Sequence, residues 1–239
     1  MKKPGAGRSG AGRSGGGRSG GGRVRVRNAR GRTASSARWL ERHLNDPYVK
    51  RAQVEGFRAR AAYKLIELDE RFDLLRGARR IVDLGAAPGS WAQVVLRRHP
   101  AATVVGVDLL PVEPLPGLRF IEGDFLDDAV AAAVGDALGG PADLVLSDMA
   151  ANTVGHHGTD HLRTMALVEA AAGFAMQHLA PGGAFVAKVL AGGAESRLVA
   201  DLKQRFASVR HAKPPASRPE SSETYVVALG FKGSSAEDR

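Results

Sequence analysis

Apolar side chains recur along the chain at two spacings, and the switch between them divides it. Residues 1–23 carry almost nothing apolar. Phe57, Ala61, Leu65, Leu68 and Phe72 then recur three and four positions apart, which predicts an amphipathic helix over Phe57–Phe72. A shorter helix is predicted through Ser36–Leu44, ended by Asn45-Asp46-Pro47. Beyond it, short apolar runs at Arg80–Leu84, Thr103–Val107, Leu118–Ile121, Asp143–Ser147 and Ala184–Val189 read as buried strands. Helical stretches near Ser90–Arg98, Leu126–Leu138, Thr159–Leu179 and Glu195–Phe206 separate or follow them. Strands alternating with helices predict an α/β fold whose parallel sheet is joined by right-handed crossovers. The end breaks this rhythm. Val209–Ala212 and Tyr225–Phe231 are linked by a Pro/Ser-rich turn without a helix, so they read as an antiparallel hairpin closing a mostly parallel, seven-stranded sheet.

Composition changes this picture at one place. The chain has 239 residues and a formal net charge of +9. Ten of its 34 Lys and Arg lie within residues 1–32, where no Asp or Glu occurs, and the remaining 24 are opposed by 25 acids. The charge therefore belongs to an arm, and residues 33–239 form a near-neutral single domain. The arm repeats Gly-Arg-Ser-Gly every five residues (Gly7–Gly10, Gly12–Gly15, Gly17–Gly20). With maximal backbone entropy and no apolar area to offset it, the arm reads as disordered and suited to phosphate. No cysteine is present, which excludes disulfides, thiolate metal sites and a Cys nucleophile and fits a reducing, cytoplasmic setting. The longest uncharged stretch, Ala170–Ala187, is broken by Gln177, His178, Pro181, Gly182 and Gly183, so no membrane span is expected.

Candidate chemistry gathers where strands end. Val82-Asp83-Leu84-Gly85-Ala86-Ala87-Pro88-Gly89-Ser90-Trp91 runs from a strand through a glycine turn into a helix. The spacing is neither that of a dinucleotide fingerprint nor that of a P-loop, and favours a smaller nucleoside-like ligand. Asp108 follows the second strand, where an acid can accept hydrogen bonds from ribose hydroxyls. Asp124 follows the third, where it can accept from an adenine amino group. Asp148 follows the fourth, where substrate would meet cofactor. Lys188 lies inside the apolar fifth strand, and an unpaired buried lysine is costly, so a paired, functional lysine is expected. Glu223 opens the last strand, and Lys64 lies on the amphipathic helix. His157 and His161 stand four apart, but in a loop without further ligands they read as a polar segment, and no metal site is expected.

These motifs together resemble the RlmE (FtsJ/RrmJ) family of ribosomal RNA 2′-O-methyltransferases. The resemblance rests on Arg60–Leu65, Val82–Trp91, Val107–Pro111, Glu122–Phe125, Ser147–Asn152, Lys188 and Glu223–Ala228, and spans roughly residues 34–232. Ser90 stands where the family often has glycine, and Ala151 where it usually has proline. The resemblance implies a Rossmann-like, class I methyltransferase fold and S-adenosylmethionine as donor. It implies a catalytic tetrad of Lys64, Asp148, Lys188 and Glu223, and donor contacts at Gly89, Trp91, Asp108, Asp124 and Asp148. It further implies a uridine in the A-loop of 23S rRNA as acceptor, within the 50S subunit or a late precursor, and a monomeric cytoplasmic enzyme. The alternatives are a 2′-O-methyltransferase of tRNA or another RNA, and an rRNA-binding assembly factor that does not catalyse. Arg38, Arg42, Lys50, Arg51, Arg58 and Arg60 add cations before the sheet for RNA phosphate.

Overall fold

The computed structural model describes residues 34–151, 157–190 and 196–233. The arm and Asn152 lie outside them. The chain forms two compact units, Met1–Asp46 and Pro47–Arg239. In the first, the described element is helix α1 (Ala34–Asn45), with Arg42 and His43 in its last turn, where cations suit the carbonyl end of the helix dipole.

The second unit opens with α2 (Pro47–Glu55), which buries Val49 and Ala52. Pro47 is its first helical residue, a position where the missing N–H has no intrahelical partner to lose. The sequence pattern assigns proline there only the role of a stop, so this helix is an addition. Then follow α3 (Ala61–Phe72), β1 (Arg80–Leu84), α4 (Ser90–Arg98), β2 (Thr103–Asp108), β3 (Leu118–Glu122), α5 (Asp128–Leu138) and β4 (Ala142–Ser147). The chain continues through α6 (His157–His178), β5 (Leu179–Leu190), α7 (Ser196–Arg205), β6 (Phe206–Ala212) and β7 (Glu223–Phe231). The expected helix from Phe57 starts four residues later, since Phe57 belongs to the turn that enters α3.

The sheet has the order β3-β2-β1-β4-β5-β7-β6. Strands β1 to β5 pair in parallel, and β7 runs antiparallel to both β5 and β6. The expected seven-stranded, mostly parallel sheet with an antiparallel C-terminal pair is thus present. Its last strand inserts between β5 and β6.

Alternation assigns the two faces. Ile81, Leu144, Leu146, Val186, Tyr225 and Val227 pack with α3 and α4. Val82, Leu84, Val145, Phe185, Ala187 and Val226 pack with α5, α6 and α7. Chain order reverses between β1 and β4, and the crevice outside the carboxyl ends of those strands is where open α/β sheets bind ligands. No described helix is long and apolar enough to cross a membrane.

Candidate active site

Strand register builds the site. Lys188 on β5 is paired with Tyr225 on β7, and Glu223 lies two residues before Tyr225 on the same side of the sheet. That side is the α3 face, from which Lys64 reaches in. Asp148 is the first residue beyond β4. Four charged side chains from four elements therefore meet at one end of the sheet.

The distances describe a closed charge pattern. Asp148 Oδ1 lies 3.5 Å from Lys64 Nζ and 3.4 Å from Lys188 Nζ. Glu223 spans the same two lysines, with Oε2 3.4 Å from Lys64 Nζ and Oε1 3.6 Å from Lys188 Nζ. Lys188 Nζ also donates to the Asp148 carbonyl at 2.7 Å, which ties the loop after β4 to β5. Both lysines are buried, so each ammonium depends on these acids to offset lost hydration.

A fifth residue joins them that the motifs did not single out. The Tyr225 hydroxyl donates to Asp148 Oδ1 at 2.5 Å. Its ring lies beneath Lys64, with Nζ 5.7 Å from the centroid, and against Trp91 at 5.9 Å. Burial alone would push the Asp148 carboxyl up; Lys188, Lys64 and the Tyr225 hydrogen bond outweigh it and hold the group below its ordinary range. Burial raises the Tyr225 phenol well above its usual value, and the Asp148 charge adds to that. Tyrosine two residues past Glu223 was a usable signal, since period two places both on one face.

The glycine turn lies next to this cluster. Gly85 has φ +77°, and a Cβ there would overlap the Met149 side chain in the loop after β4. The Asp108 carboxylate accepts from the Ala87 N–H at 2.8 Å and the Leu110 N–H at 2.9 Å, so it fastens the turn to the end of β2 while keeping lone pairs for a ligand. Asp124 is exposed and accepts from the Leu126 N–H at 3.0 Å. The Trp91 side chain is buried and donates to the Ala61 carbonyl at 2.8 Å. It supports α3 from within, which leaves its main chain for any ligand contact.

Asp83, on the same face at the end of β1, is buried with its Oδ2 unpartnered. Burial, then the charges of Asp148 and Asp108, push its carboxyl up to about 7. Acceptors stand at the ends of β2 and β3, and the acids Asp83, Asp108 and Asp148 lie close enough to act on one another, a set that could hold a cationic nucleoside. Among the described residues no group of three or more acids and histidines is placed to hold a metal ion. The His157 side chain lies outside the described set.

Three of the cations ahead of the sheet have local partners, and the side chain of Arg38 lies outside the described set. Arg51 pairs with Glu55 at 2.6 Å, and Arg60 donates to the Ala216 carbonyl at 2.5 Å. Arg58 donates to the carbonyls of Pro88 and Pro114, each at 2.9 Å. Lys50 and Arg42 are exposed, as a phosphate contact requires.

Comparison with known proteins bears on the family and the fold. The sequence profile of the FtsJ-like methyltransferases matches residues 57–231. A protein of Novosphingobium aromaticivorans named Ribosomal RNA large subunit methyltransferase E is 66% identical over 209 residues, 87% of this chain and 94% of its own. A protein of the same name from Rhizorhabdus wittichii is 64% identical over 209 residues, 87% of this chain and 91% of its own. A solved structure from Plasmodium falciparum, described as a ribosomal RNA methyltransferase, superposes with a TM-score of 0.66 at 32% identity, over 74% of this chain and 100% of that one. A family profile covering the whole sheet, together with relatives matched over nearly their full length, means that the chain belongs to the FtsJ-like methyltransferase family.

Proposed function

We propose that the protein transfers a methyl group from S-adenosylmethionine to a ribose 2′-hydroxyl of large-subunit ribosomal RNA, at a uridine of the 23S A-loop. The observation that carries this reading is the Lys64–Asp148–Lys188–Glu223 cluster beside the glycine turn. The names of the two bacterial relatives support large-subunit rRNA as the acceptor. The choice of uridine rests on the family resemblance.

S-adenosylmethionine, when bound, supplies an electrophilic methyl group on a sulfonium. Gly89 and the main chain of Trp91 would line its site, with Asp108 accepting from ribose hydroxyls, Asp124 from the adenine amine, and Asp148 at the reacting end. The crowded acids suit its positive charge. A 2′-hydroxyl is a weak nucleophile until its proton begins to leave. Lys188 has two alternative roles here: if neutral it takes that proton and becomes an ammonium, and if already charged it steadies the developing alkoxide while the proton leaves to solvent. Asp148 orients Lys188 and the acceptor ribose, while Lys64 and Glu223 position the RNA and complete the charge balance. The protein would act as a cytoplasmic monomer on the 50S subunit or a late precursor.

The test is to mix the protein with labelled S-adenosylmethionine and 50S subunits from a methylation-deficient strain, and to map the modified nucleotide. A 2′-O-methyl group on one A-loop uridine is expected. Label in tRNA instead would remove the rRNA assignment and keep the chemistry. No label in any RNA would leave a binding protein.

A further inference from the structure

We infer that Arg58 is a positioning residue for the methyl donor: its guanidinium braces the two loops between which the donor would lie. This rests on the methyltransferase reading of the glycine turn. One Nη donates to the Pro88 carbonyl in that turn, and the other donates to the Pro114 carbonyl in the loop between β2 and β3, each at 2.9 Å. The first loop ends in Gly89, and the second begins just past Asp108. Both residues are assigned above to the donor.

Packing around the guanidinium is specific. A Cβ at position 89 would meet Arg58 Nη1 at 2.7 Å and Val112 Cγ1 at 3.2 Å, so the arginine and the second loop occupy the space over the glycine. Gly89 has φ +97° and is the N-cap of α4. A side chain there would be strained and would also displace the brace.

The arginine is itself held. Its N–H donates to Gln93 Oε1 at 2.7 Å, and Gln93 Nε2 donates to the Gly56 carbonyl at 3.2 Å. Arg97 donates to the carbonyls of Glu55 and Gly56, each at 2.9 Å, and lies 4.2 Å over the Phe57 ring. Residues 55–58 are thus anchored to α4, and Arg58 extends from that anchor to both loops. Two carbonyls on different loops each receive their own Nη of the planar guanidinium fork, whereas a lysine would have to bring a single nitrogen on a different stem to both. An arginine whose Nη groups both face main-chain carbonyls is placed to hold protein loops, a different task from meeting phosphate.

The experiment compares full-length wild type, Arg58→Ala and Arg58→Lys. S-adenosylhomocysteine affinity is measured by calorimetry, and hydrogen exchange is followed at 85–89 and 109–117. RNA affinity is measured without donor, and thermal unfolding checks that the variants fold. The expected result is a rise of about tenfold in the dissociation constant for Arg58→Ala, the scale of one or two missing hydrogen bonds. Lysine should fail to rescue it, exchange should quicken in both loops, and in turnover the donor's KM should change more than kcat. Unchanged ligand affinity in both variants overturns the inference, as does a fall in RNA affinity alone. Absence of binding by wild type would instead overturn the methyltransferase reading on which the brace depends.

Discussion

Asp148 Oδ1 is the most heavily used atom of the site, receiving the Tyr225 hydroxyl while facing two lysines. Removing the hydroxyl in Tyr225→Phe leaves the burial of Asp148 in place and takes away one group that favours its charge. The carboxyl should then titrate at higher pH. Its charged interactions exist above its pKa and vanish as pH falls through it, so the acid limb of the pH–rate profile should move toward neutrality, with turnover at pH 8 down roughly fivefold. An acid limb that stays in place would leave the phenol a packing role only. Lys188→Ala addresses the proton. If Lys188 is the base, the single-turnover rate rises with pH through one ionisation that this variant abolishes, whereas a flat profile in the intact enzyme assigns it the electrostatic role. Asp83 carries the opposite sign from Asp148. Its folded-state pKa is raised to about 7, so the native state holds a proton that the unfolded chain has already released. Its contribution to stability is present below the unfolded value and lost as pH rises through the folded one, at no more than about 1.4 kcal/mol per pH unit. Thermal unfolding followed between pH 5 and pH 8 should fall less steeply for Asp83→Asn, and identical slopes would place the proton elsewhere.

At the scale of elements, function depends on how few loops converge and how closely they pack. The turn after β1 and the loop after β4 touch where Gly85 meets Met149, one residue beyond Asp148. Gly85→Ala combines φ +77° with overlap against Met149, so it should push the Asp148 loop outward. The expected cost is about 1–3 kcal/mol of stability, with a larger fall in kcat than in RNA affinity. Wild-type kcat in that variant would mean that the loop absorbs the shift. These elements were largely legible beforehand, because alternation of apolar and polar residues is a local signal. Arg80–Leu84 and Ser90–Arg98 begin and end where the pattern places them. Helix α2 was not, because nine residues headed by proline hold too few apolar positions to set a period. Of its two buried residues, Ala52 packs with Tyr63 and Ala216, which brings distant segments together. Lys64, Asp148, Lys188 and Glu223 were legible as single positions in motifs. Their meeting follows from β5–β7 register, which exists only after folding. The hydrogen bonds of Arg58 to two loops were not legible, because composition counts its charge and not its partners.

Across the whole molecule, the excess positive charge lies in residues 1–32. Several cations of the body are engaged within it: Arg98 with Asp69 and Glu70, Arg76 with Asp73, Arg51 with Glu55, and Arg58, Arg60 and Arg97 with main-chain carbonyls. Acids gather around the residues proposed to hold the donor, and would repel RNA phosphate if nothing opposed them. The ten Lys and Arg of residues 1–32 carry the excess that a polyanion would meet. Deleting residues 1–32 should therefore weaken RNA binding and flatten its dependence on salt, by about 0.7–0.9 in the log–log slope for each phosphate that the arm no longer neutralises. Donor affinity should not change, since Gly89, Asp108 and Asp124 lie outside the deleted segment. The pair of measurements separates two designs. A slope that drops while donor affinity holds assigns attraction to the arm and chemistry to the body. An unchanged slope removes the arm from RNA binding and returns that task to exposed cations such as Arg42 and Lys50, whose charge reversal would then have to flatten the slope instead.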